Sequence, residues 1–464
     1  MQLIKPDASK SATGDKKPRK FTNLTGALAA ASCALLGADA LAASNAANTN
    51  SDDDWKFNTA ILYYGESDSR VTAVEGIINA NKTFDENEIL DLKITVDTLT
   101  GASPTGAVPQ PGIQTFTRPS GRGNYQVAAG EVPLDDTFHD TRLQLNGQWT
   151  QPVGESYLGS FGLHASKEFD YLSLGFNGSV SRDINQKNTT LSAGFAYSHD
   201  TIEPEGGRPV PYAAMLISTD ELDDNGADEQ QNQQHADVFS QSRLGGSGSK
   251  DILDLLLGVT QVINRRAIMQ FNYSYSTSDG YLTDPFKVVT VVNAQGLAQD
   301  HLYENRPDKR TKQSFFWQTK YHFDSTIADV SYRFMTDDWG IDSHTVDSKL
   351  RFVFDNDSYL EPHFRIYRQG AADFYRPFLL QSTVLQSPLQ PVYASADYRI
   401  GEFTAYTVGF KYGIKLNSGN NLAFRLEYYQ QDPNNDGFNA PGVLSSYELN
   451  PTVKALILQL SYSF

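Results

Sequence analysis

The last ten residues of the sequence, "ALILQLSYSF" (455–464), alternate between two kinds of side chain. Successive side chains of a β-strand point to opposite faces, so every second residue shares a face. One face would carry Leu456, Leu458, Leu460, Tyr462 and Phe464, and the other Ile457, Gln459, Ser461 and Ser463. The apolar face then needs a protein core, a partner or lipid to cover it.

The start of the sequence favours lipid. A basic stretch, "KKPRK" (16–20), precedes the apolar, small-residue run "LTGALAAASCALLGADALA" (24–42). This order predicts a secretory signal peptide over 1–42, cleaved after Ala40 or Ala42, then a periplasmic segment over 43–54. The alternatives are an amphipathic helix of a cytoplasmic protein and a lipoprotein signal around Cys33. Because Cys33 is the only cysteine, the mature chain would have no disulfide, thiolate metal site or catalytic thiol.

The charge of the mature chain excludes one class of partner. Removal of 1–42 takes six Lys/Arg and three Asp/Glu from totals of 38 and 55, which leaves a formal charge of −20. So negative a protein repels nucleic acid. The mean hydropathy is −0.43, and no run of about 18 apolar residues predicts a membrane helix. Transmembrane barrels have such averages, because only alternate residues face lipid.

Segments of about ten residues with alternating apolar side chains predict an all-β, transmembrane antiparallel barrel over 55–464. Sixteen such segments occur, at 55–65, 69–82, 88–98, 138–151, 155–167, 170–182, 188–200, 251–263, 266–277, 312–324, 327–337, 345–356, 359–369, 402–414, 421–431 and 453–464. Strand counts of fourteen and eighteen are alternatives. The strand at 70–80 is less regular than the others, and "VYASADYR" (392–399), which we assign to a loop, resembles a short strand.

The connections between these segments give a second test. If both ends of the barrel lie in the periplasm, sixteen strands put every long connection outside, as in bacterial barrels. The long connections are 99–137, 201–250, 278–311, 370–401 and 432–452. We expect 201–250 and 370–401 to form lids or a constriction. The final segment then pairs with the first, and its Tyr462 and Phe464 are typical of the signal read by the barrel assembly machinery.

Four stretches resemble a known family. They are "YYGESDSRV" (63–71), "DTLTGASPTGA" (97–107), "YRQGAADFY" (367–375) and "ASADYR" (394–399), and they are similar to the Gram-negative family called domain of unknown function 3570. The resemblance implies a location in the outer membrane and supplies no catalytic residues. Neighbouring genes for flavin-transfer and thioredoxin-like proteins, typical of this family, suggest a periplasmic redox partner.

The sequence carries weak signals for bound ligands. "TGASPTGA" (100–107) lacks both the lysine of a phosphate loop and the second glycine of a nucleophile elbow, so a turn is favoured. Asp432, Asn434 and Asp436 alternate before Gly437 like the first half of a calcium loop. Val443 stands where the bidentate Glu belongs, so an acidic turn without metal is the alternative, and no other cofactor is expected. The acidic stretch 219–238 is interpreted as a solvated loop.

If the alternating apolar residues of each strand face lipid, the residues between them line the lumen. These would include a basic stripe of Lys320, Arg333, Lys349, Arg351, Arg365, Lys411 and Arg425, with Asp91 and Asp97 on the third strand. Carboxylates lie among the cations, so two interpretations remain: a stripe that steers solutes, and salt bridges that stiffen the wall. A barrel of this size leaves an aqueous channel whose charges set ion selectivity.

These features predict a porin-like outer-membrane channel for passive or substrate-preferring passage of small polar solutes. Two alternatives belong to other classes of protein. One is a barrel enzyme with an Asp/His site at the outer rim, although the eight histidines are scattered and form no H-E-x-x-H motif. The other is a non-conducting barrel that docks the periplasmic redox partner.

Overall fold

A computed structural model describes residues 55–464, apart from 69, 86, 122, 217–238, 385–390, 435–437 and 451. The predicted signal peptide 1–42, the segment 43–54 and the acidic stretch 219–238 lie outside these residues. Among the described residues, no helix has the length and apolar character needed to cross a membrane.

Sixteen strands form one closed antiparallel barrel in chain order, as predicted. They are β1 (Lys56–Glu66), β2 (Thr72–Asp85), β3 (Glu88–Pro104), β4 (Leu134–Val153), β5 (Tyr157–Lys167), β6 (Tyr171–Ile184), β7 (Thr189–Ile202), β8 (Gly248–Asn264), β9 (Ala267–Gly280), β10 (Lys309–His322), β11 (Thr326–Asp337), β12 (Asp342–Val353), β13 (Tyr359–Gln369), β14 (Phe403–Lys415), β15 (Asn421–Pro433) and β16 (Val453–Ser463). The closing strand β16 pairs with both β15 and β1.

The lengths of the connections agree with the prediction that every long connection lies at the same end of the barrel. Short turns join strands at one end, over 154–156, 185–188, 265–266, 323–325, 354–358 and 416–420. The five long connections, 105–133, 203–247, 281–308, 370–402 and 434–452, all lie at the other end, called the outer end below. At the short-turn end, Phe57 and Phe464 exchange backbone hydrogen bonds of 2.8 and 2.9 Å. The last aromatic residue therefore completes the seam between β16 and β1.

Several strands extend farther at the outer end than the sequence predicts. β3 continues to Pro104 instead of 98, β8 begins at Gly248 instead of 251, and β10 begins at Lys309 instead of 312. These extensions are polar or glycine-rich, because they project beyond the lipid and need no apolar face. The segment 392–399 adds no strand to the barrel and ends in a short 3₁₀ helix, Tyr398–Ile400.

The two faces of the wall are assigned by the register, which is regular around the barrel apart from shifts near strand ends at 83–85, 101–103 and 262–264. The predicted apolar face of β16 points outward, with Leu456 and Leu460 exposed. Aromatic side chains form a belt on the outer surface at the short-turn end, as expected at a membrane interface. This belt contains Trp55, Phe57, Phe84, Trp149, Tyr157, Phe323, Tyr462 and Phe464.

The leucine run of β8 offers a direct test of this assignment. Leu257 faces lipid opposite Tyr273, whereas Leu256 faces the lumen opposite Ser274. Leu257→Arg should lower the free energy of unfolding by about 2–4 kcal/mol, because it puts a charge near the middle of the lipid face. Leu256→Arg is the matched control and should cost far less, since its side chain reaches water. Guanidinium unfolding from lipid vesicles measures both, and equal losses would contradict the assigned faces.

Candidate functional site

The five long connections pack together at the outer end, and their described residues are called the lid. A hairpin at its centre pairs Val288–Val292 with Ala298–Tyr303. All five residues of the first strand are buried, although they lie outside the barrel wall. A short parallel strand, Leu379–Leu380, extends this sheet from another connection.

The other four connections all bond to this central hairpin. Val288 donates its N–H to Thr105 O at 2.9 Å, and Met215 donates to His301 O at 2.7 Å. Val443 donates to Gln295 O, in the turn of the hairpin, at 2.9 Å. Asn305, just beyond it, exchanges two backbone bonds of 3.0 Å with Ala394. Because these connections leave the barrel at strands spread around its rim, their meeting point lies across the mouth.

The lid has apolar cores of its own. One joins the central hairpin to the 370–402 connection and contains Val289, Val291, Leu302, Leu379, Ala394 and Ala396. A second packs Phe374 against Trp339 of the short connection 338–341, with ring centroids 5.0 Å apart. A third places Phe116 against Val288 and Tyr303. This packing resembles the interior of a soluble domain, so the lid is a folded body rather than a set of loose loops.

A network of buried charges fixes two connections to each other. Arg306 bonds Glu304 at 2.5 Å and Asp397 at 2.7 Å, while Arg399 bonds Asp397 at 2.5 Å and Asp284 at 2.6 Å. The Ser395 hydroxyl donates to Glu304. Side chains of Glu304 and Asp397 are fully buried, so each depends on these partners for its charge.

Burial and neighbouring charges shift the pKa values of residues in and beside this network in different directions. Burial opposes ionisation of Asp397, but Arg399 and Arg306 outweigh it and hold the pKa of Asp397 well below its usual range. Burial raises the pKa of Glu304, which Arg306 offsets only in part. Burial also lowers the pKa of Lys287, whose ammonium donates to Ser103 Oγ at 3.3 Å.

The four stretches that carry the family resemblance meet at this lid. Arg70, paired with Glu66 at 3.1 Å, lies over the ring of Tyr398. Gln369 donates to Gly401 O at 2.7 Å. A Cβ at Gly106 would lie 2.5 Å from Val288 O, so only glycine fits at this approach to the hairpin. The glycines and small residues of these stretches were thus a signal for close packing.

The predicted lumen residues face inward by register, and several form salt bridges. Lys320 pairs with Asp329 at 3.4 Å, Arg351 with Glu361 at 2.6 Å, and Arg425 with Glu427 at 3.8 Å. On the far wall, Asp97 pairs with Arg142 at 2.7 Å, and Asp91 accepts from Asn79 at 2.9 Å. Lys411 lies opposite Arg425 and Glu361. Part of the stripe is therefore neutralised within the wall.

Three cations of the stripe take part in no salt bridge among the described residues: Arg333, Lys349 and Arg365. Near these cations, His363 contacts two carboxylates. No sequence pattern singles out this histidine. Its Nε2 lies 2.9 Å from Asp347 and its Nδ1 2.9 Å from Glu427. Two carboxylates accepting from one imidazole favour the doubly protonated ring. No sequence spacing relates these residues, since they lie on β12, β13 and β15.

The sequence comparison identifies the family. A family model described as "Protein of unknown function (DUF3570)" matches residues 25–464. The chain belongs to this family. The predicted resemblance is confirmed, and the closed barrel with its apolar outer band is an outer-membrane protein of a Gram-negative bacterium. No curated protein matches the chain at a significant level.

Solved outer-membrane barrels are similar to this DUF3570 protein in general architecture. CdiB from Acinetobacter baumannii has a TM-score of 0.40 at 10% identity, covering 88% of this chain and 60% of that one. OccK2 (OpdF) of Pseudomonas aeruginosa, solved with glucuronate, has 0.37 at 8%, covering 88% and 97%. The toluene transporter TodX of Pseudomonas putida has 0.35 at 9%, covering 89% and 90%. Similarity at this level says nothing about a solute or a mechanism.

The predicted calcium loop is only partly described in this DUF3570 barrel. Asp432 accepts from Gln430 and Thr452, and the Asn434 amide donates to Glu402 at 3.0 Å. Asp436 lies outside the described residues, so the calcium site stays a prediction. Elsewhere in the described chain, no group of three His, Cys, Asp or Glu side chains could hold a metal ion.

An Asp/His pair of the kind required by the enzyme hypothesis does occur at the outer rim. His199 Nδ1 lies 2.8 Å from Asp251, which also accepts from the Tyr197 hydroxyl at 2.6 Å. All three face outward toward lipid. No serine or threonine hydroxyl bonds His199 within the described part of the chain. The DUF3570 lid and lumen are the better-defined candidate site.

The charge network predicts how the DUF3570 lid can be loosened. Arg306→Met leaves Glu304 and Asp397 without their shared cation, and loss of one partner from a buried pair costs about 3–5 kcal/mol. Amide hydrogen exchange in the lid hairpin should therefore accelerate by roughly 100-fold or more, while barrel amides keep their protection. Arg368→Met is the control, because Arg368 is exposed and contacts Glu402 at 3.5 Å. Equal effects in both variants would contradict the role of the network.

His301 makes the stability of the lid dependent on pH. It packs 4.9 Å from the Phe116 ring and 3.1 Å from Thr290 Oγ1, and burial lowers its pKa to about 4. An unfolded histidine has a pKa of about 6.5. The unfolded lid therefore binds more protons as pH falls from about 6.5 to about 4, and stability drops by roughly 3 kcal/mol across this window.

Hydrogen exchange of the lid at several pH values measures this effect. His301→Gln should flatten the dependence over the same window. Asp300, whose pKa burial raises, acts in the opposite direction and is unchanged in the variant, so the difference isolates His301. Unchanged pH dependence in His301→Gln would assign the effect to another group.

Proposed function

We propose that this barrel is a channel for small polar solutes, with a preference for anions, and that the lid restricts its outer mouth. One observation carries the proposal: the lumen has a charged wall beside a wall that is rich in small polar residues. A barrel of sixteen strands is too wide for side chains to fill, so an aqueous path fits such a lumen.

The small wall lies on β5 to β9. Its inward residues follow from the register, and many of them are glycine, serine, asparagine or alanine, including Ser160, Gly162, Gly175, Asn177, Ser179, Ser192, Gly194, Ala196, Ser198, Gly258, Asn272 and Ser274. Four charged residues also point inward on these strands: Asp183, Asp200, Lys250 and Asp254. The small residues leave room and bind water without holding a net charge. A wall meant only to stiffen the barrel would gain more from large side chains that interlock.

The charged wall, on β10 to β15, retains positive charge after its salt bridges are formed. The seven predicted cations share it with Asp329, Asp347, Glu361 and Glu427, so cations exceed carboxylates. His363 further reduces the negative charge by engaging two of the four carboxylates. Fixed positive charge in a narrow aqueous path raises the local concentration of anions and sets selectivity.

The lid favours a second function, a non-conducting barrel that serves as a docking platform. Its apolar cores and buried ion pairs give the outer mouth the packing of a folded domain. A mouth of this kind fits a closed barrel as well as a restricted channel. As a docking platform, the barrel would bind the periplasmic redox partner that the family resemblance suggests.

Single-channel recording tests the two functions against each other. Folded mature protein in a planar bilayer under a salt gradient should give a steady current with a reversal potential on the anion-selective side. Arg351→Ala/Arg365→Ala should move that potential toward neutrality, because it removes two lumen cations. Lys415→Ala is the control, since Lys415 is exposed at a short turn and contacts Asp357. Absence of current from a correctly folded barrel would overturn the channel and favour the docking platform.

A further inference from the structure

Two arginines of the lumen lie close together below the lid, and the register fixes their positions. In one row across neighbouring strands, Tyr367, Thr345, Arg333 and Phe316 are successive partners on β13, β12, β11 and β10. In the next row toward the short turns, Tyr429, Thr407 and Arg365 are partners on β15, β14 and β13. The two arginines are thus two strands and one row apart, close enough for both side chains to reach one small ligand.

Both guanidinium groups are available to a ligand. Arg333 lies 5.4 Å from the Phe316 ring, and neither arginine forms a hydrogen bond or salt bridge in the part of the chain that the structure describes. The cross-strand neighbour of Arg365 is Asp347, but His363 engages that carboxylate at 2.9 Å. The residues between the arginines include Thr345, whose side chain is small, so no bulky group separates them.

Tyrosines surround the same position. Tyr64, Tyr367 and Tyr429 each donate a hydroxyl hydrogen bond to the residue two positions nearer the outer end, at 2.8, 2.6 and 2.8 Å. These bonds hold the rings in place. Gln369, which accepts from Tyr367, donates to Arg399 O at 3.0 Å and to Gly401 O at 2.7 Å, so the lid segment that carries Tyr398 lies against this wall.

Guanidinium and aromatic groups together select a particular chemistry. A guanidinium binds a carboxylate through two parallel hydrogen bonds, and two arginines can hold one carboxylate from both sides. Tyrosine rings offer flat apolar surfaces that pack against other flat groups. A small inorganic anion would use the arginines alone, whereas a neutral aromatic molecule would use the rings alone.

We propose that Arg333, Arg365 and the tyrosines Tyr367, Tyr398 and Tyr429 form a binding site for a small organic carboxylate with a flat apolar body. The site lies in the lumen directly under the lid. Its role in binding solutes as they pass through the pore rests on the proposed channel function. Binding itself does not require conduction. The proposal therefore narrows the solute class from small anions to flat organic carboxylates.

Isothermal titration calorimetry of the full mature protein in detergent tests the site directly, with benzoate, acetate and benzamide as probes. Benzoate should bind more tightly than either acetate, which lacks the ring, or benzamide, which lacks the charge. Arg333→Gln/Arg365→Gln should weaken benzoate binding at least about tenfold. Lys93→Gln is the control. Lys93 faces the lumen on β3, eight strands from Arg333, so this variant removes a lumen cation far from the proposed site.

Current recordings on the same proteins separate this proposal from the channel function. Benzoate binding that the double variant loses supports the site, whether or not the barrel conducts. Conduction by a wild-type protein that does not bind benzoate overturns the site and leaves the channel in place. Equal binding of acetate and benzoate would reduce the site to a general anion site and overturn the aromatic part. An equal loss of benzoate binding in Lys93→Gln would show that the total charge of the lumen, and not this site, determines binding, and would overturn the site.

Discussion

The need to satisfy every backbone hydrogen bond inside lipid is the constraint on which this structure depends. A sheet in a membrane must close, because an open edge would expose N–H and C=O groups to hydrocarbon. β16 therefore bonds β1, and sixteen strands follow one another around the wall. Closure at this strand number leaves a lumen too wide for side chains to fill. The protein must then line the space with polar groups, cover it or both, and this chain does both.

The lid follows different physical rules from the wall beneath it. Its central strand, Val288–Val292, is apolar on both faces and fully buried, whereas each wall strand alternates between lipid and lumen. The lid lies in water and stabilises itself by burying apolar surface, as soluble domains do. The wall gains nothing from burying apolar side chains, since lipid covers them equally well. One chain thus carries two sequence patterns, and the change of pattern marks where the membrane ends.

Periodicity and parity predicted the wall because both are local properties of a strand. The same alternation assigned Leu456 to lipid and Arg365 to the lumen before any contact was known. The lid depends on contacts between distant segments, such as Val108 with Thr290, 182 residues apart, so no local pattern reveals it. The run "VVTVV" (288–292) lies within a stretch described from the sequence only as a long connection, and the glycines of 97–107 are equally compatible with an ordinary turn. His363 escaped attention because its carboxylates lie on other strands, and only the register brings them to it.

The buried charges of the lid say more about its geometry than about its strength. Removing Glu304, Asp397 and Arg306 from water costs free energy that their ion pairs only partly return, so an apolar core of equal size would stabilise the lid at least as well. Ion pairs, unlike apolar contacts, tolerate few alternative arrangements. The network therefore fixes the position of the 391–400 segment, and with it Tyr398, relative to the wall. A lid built for strength alone would not need this precision, but a lid that completes a binding site in the lumen would.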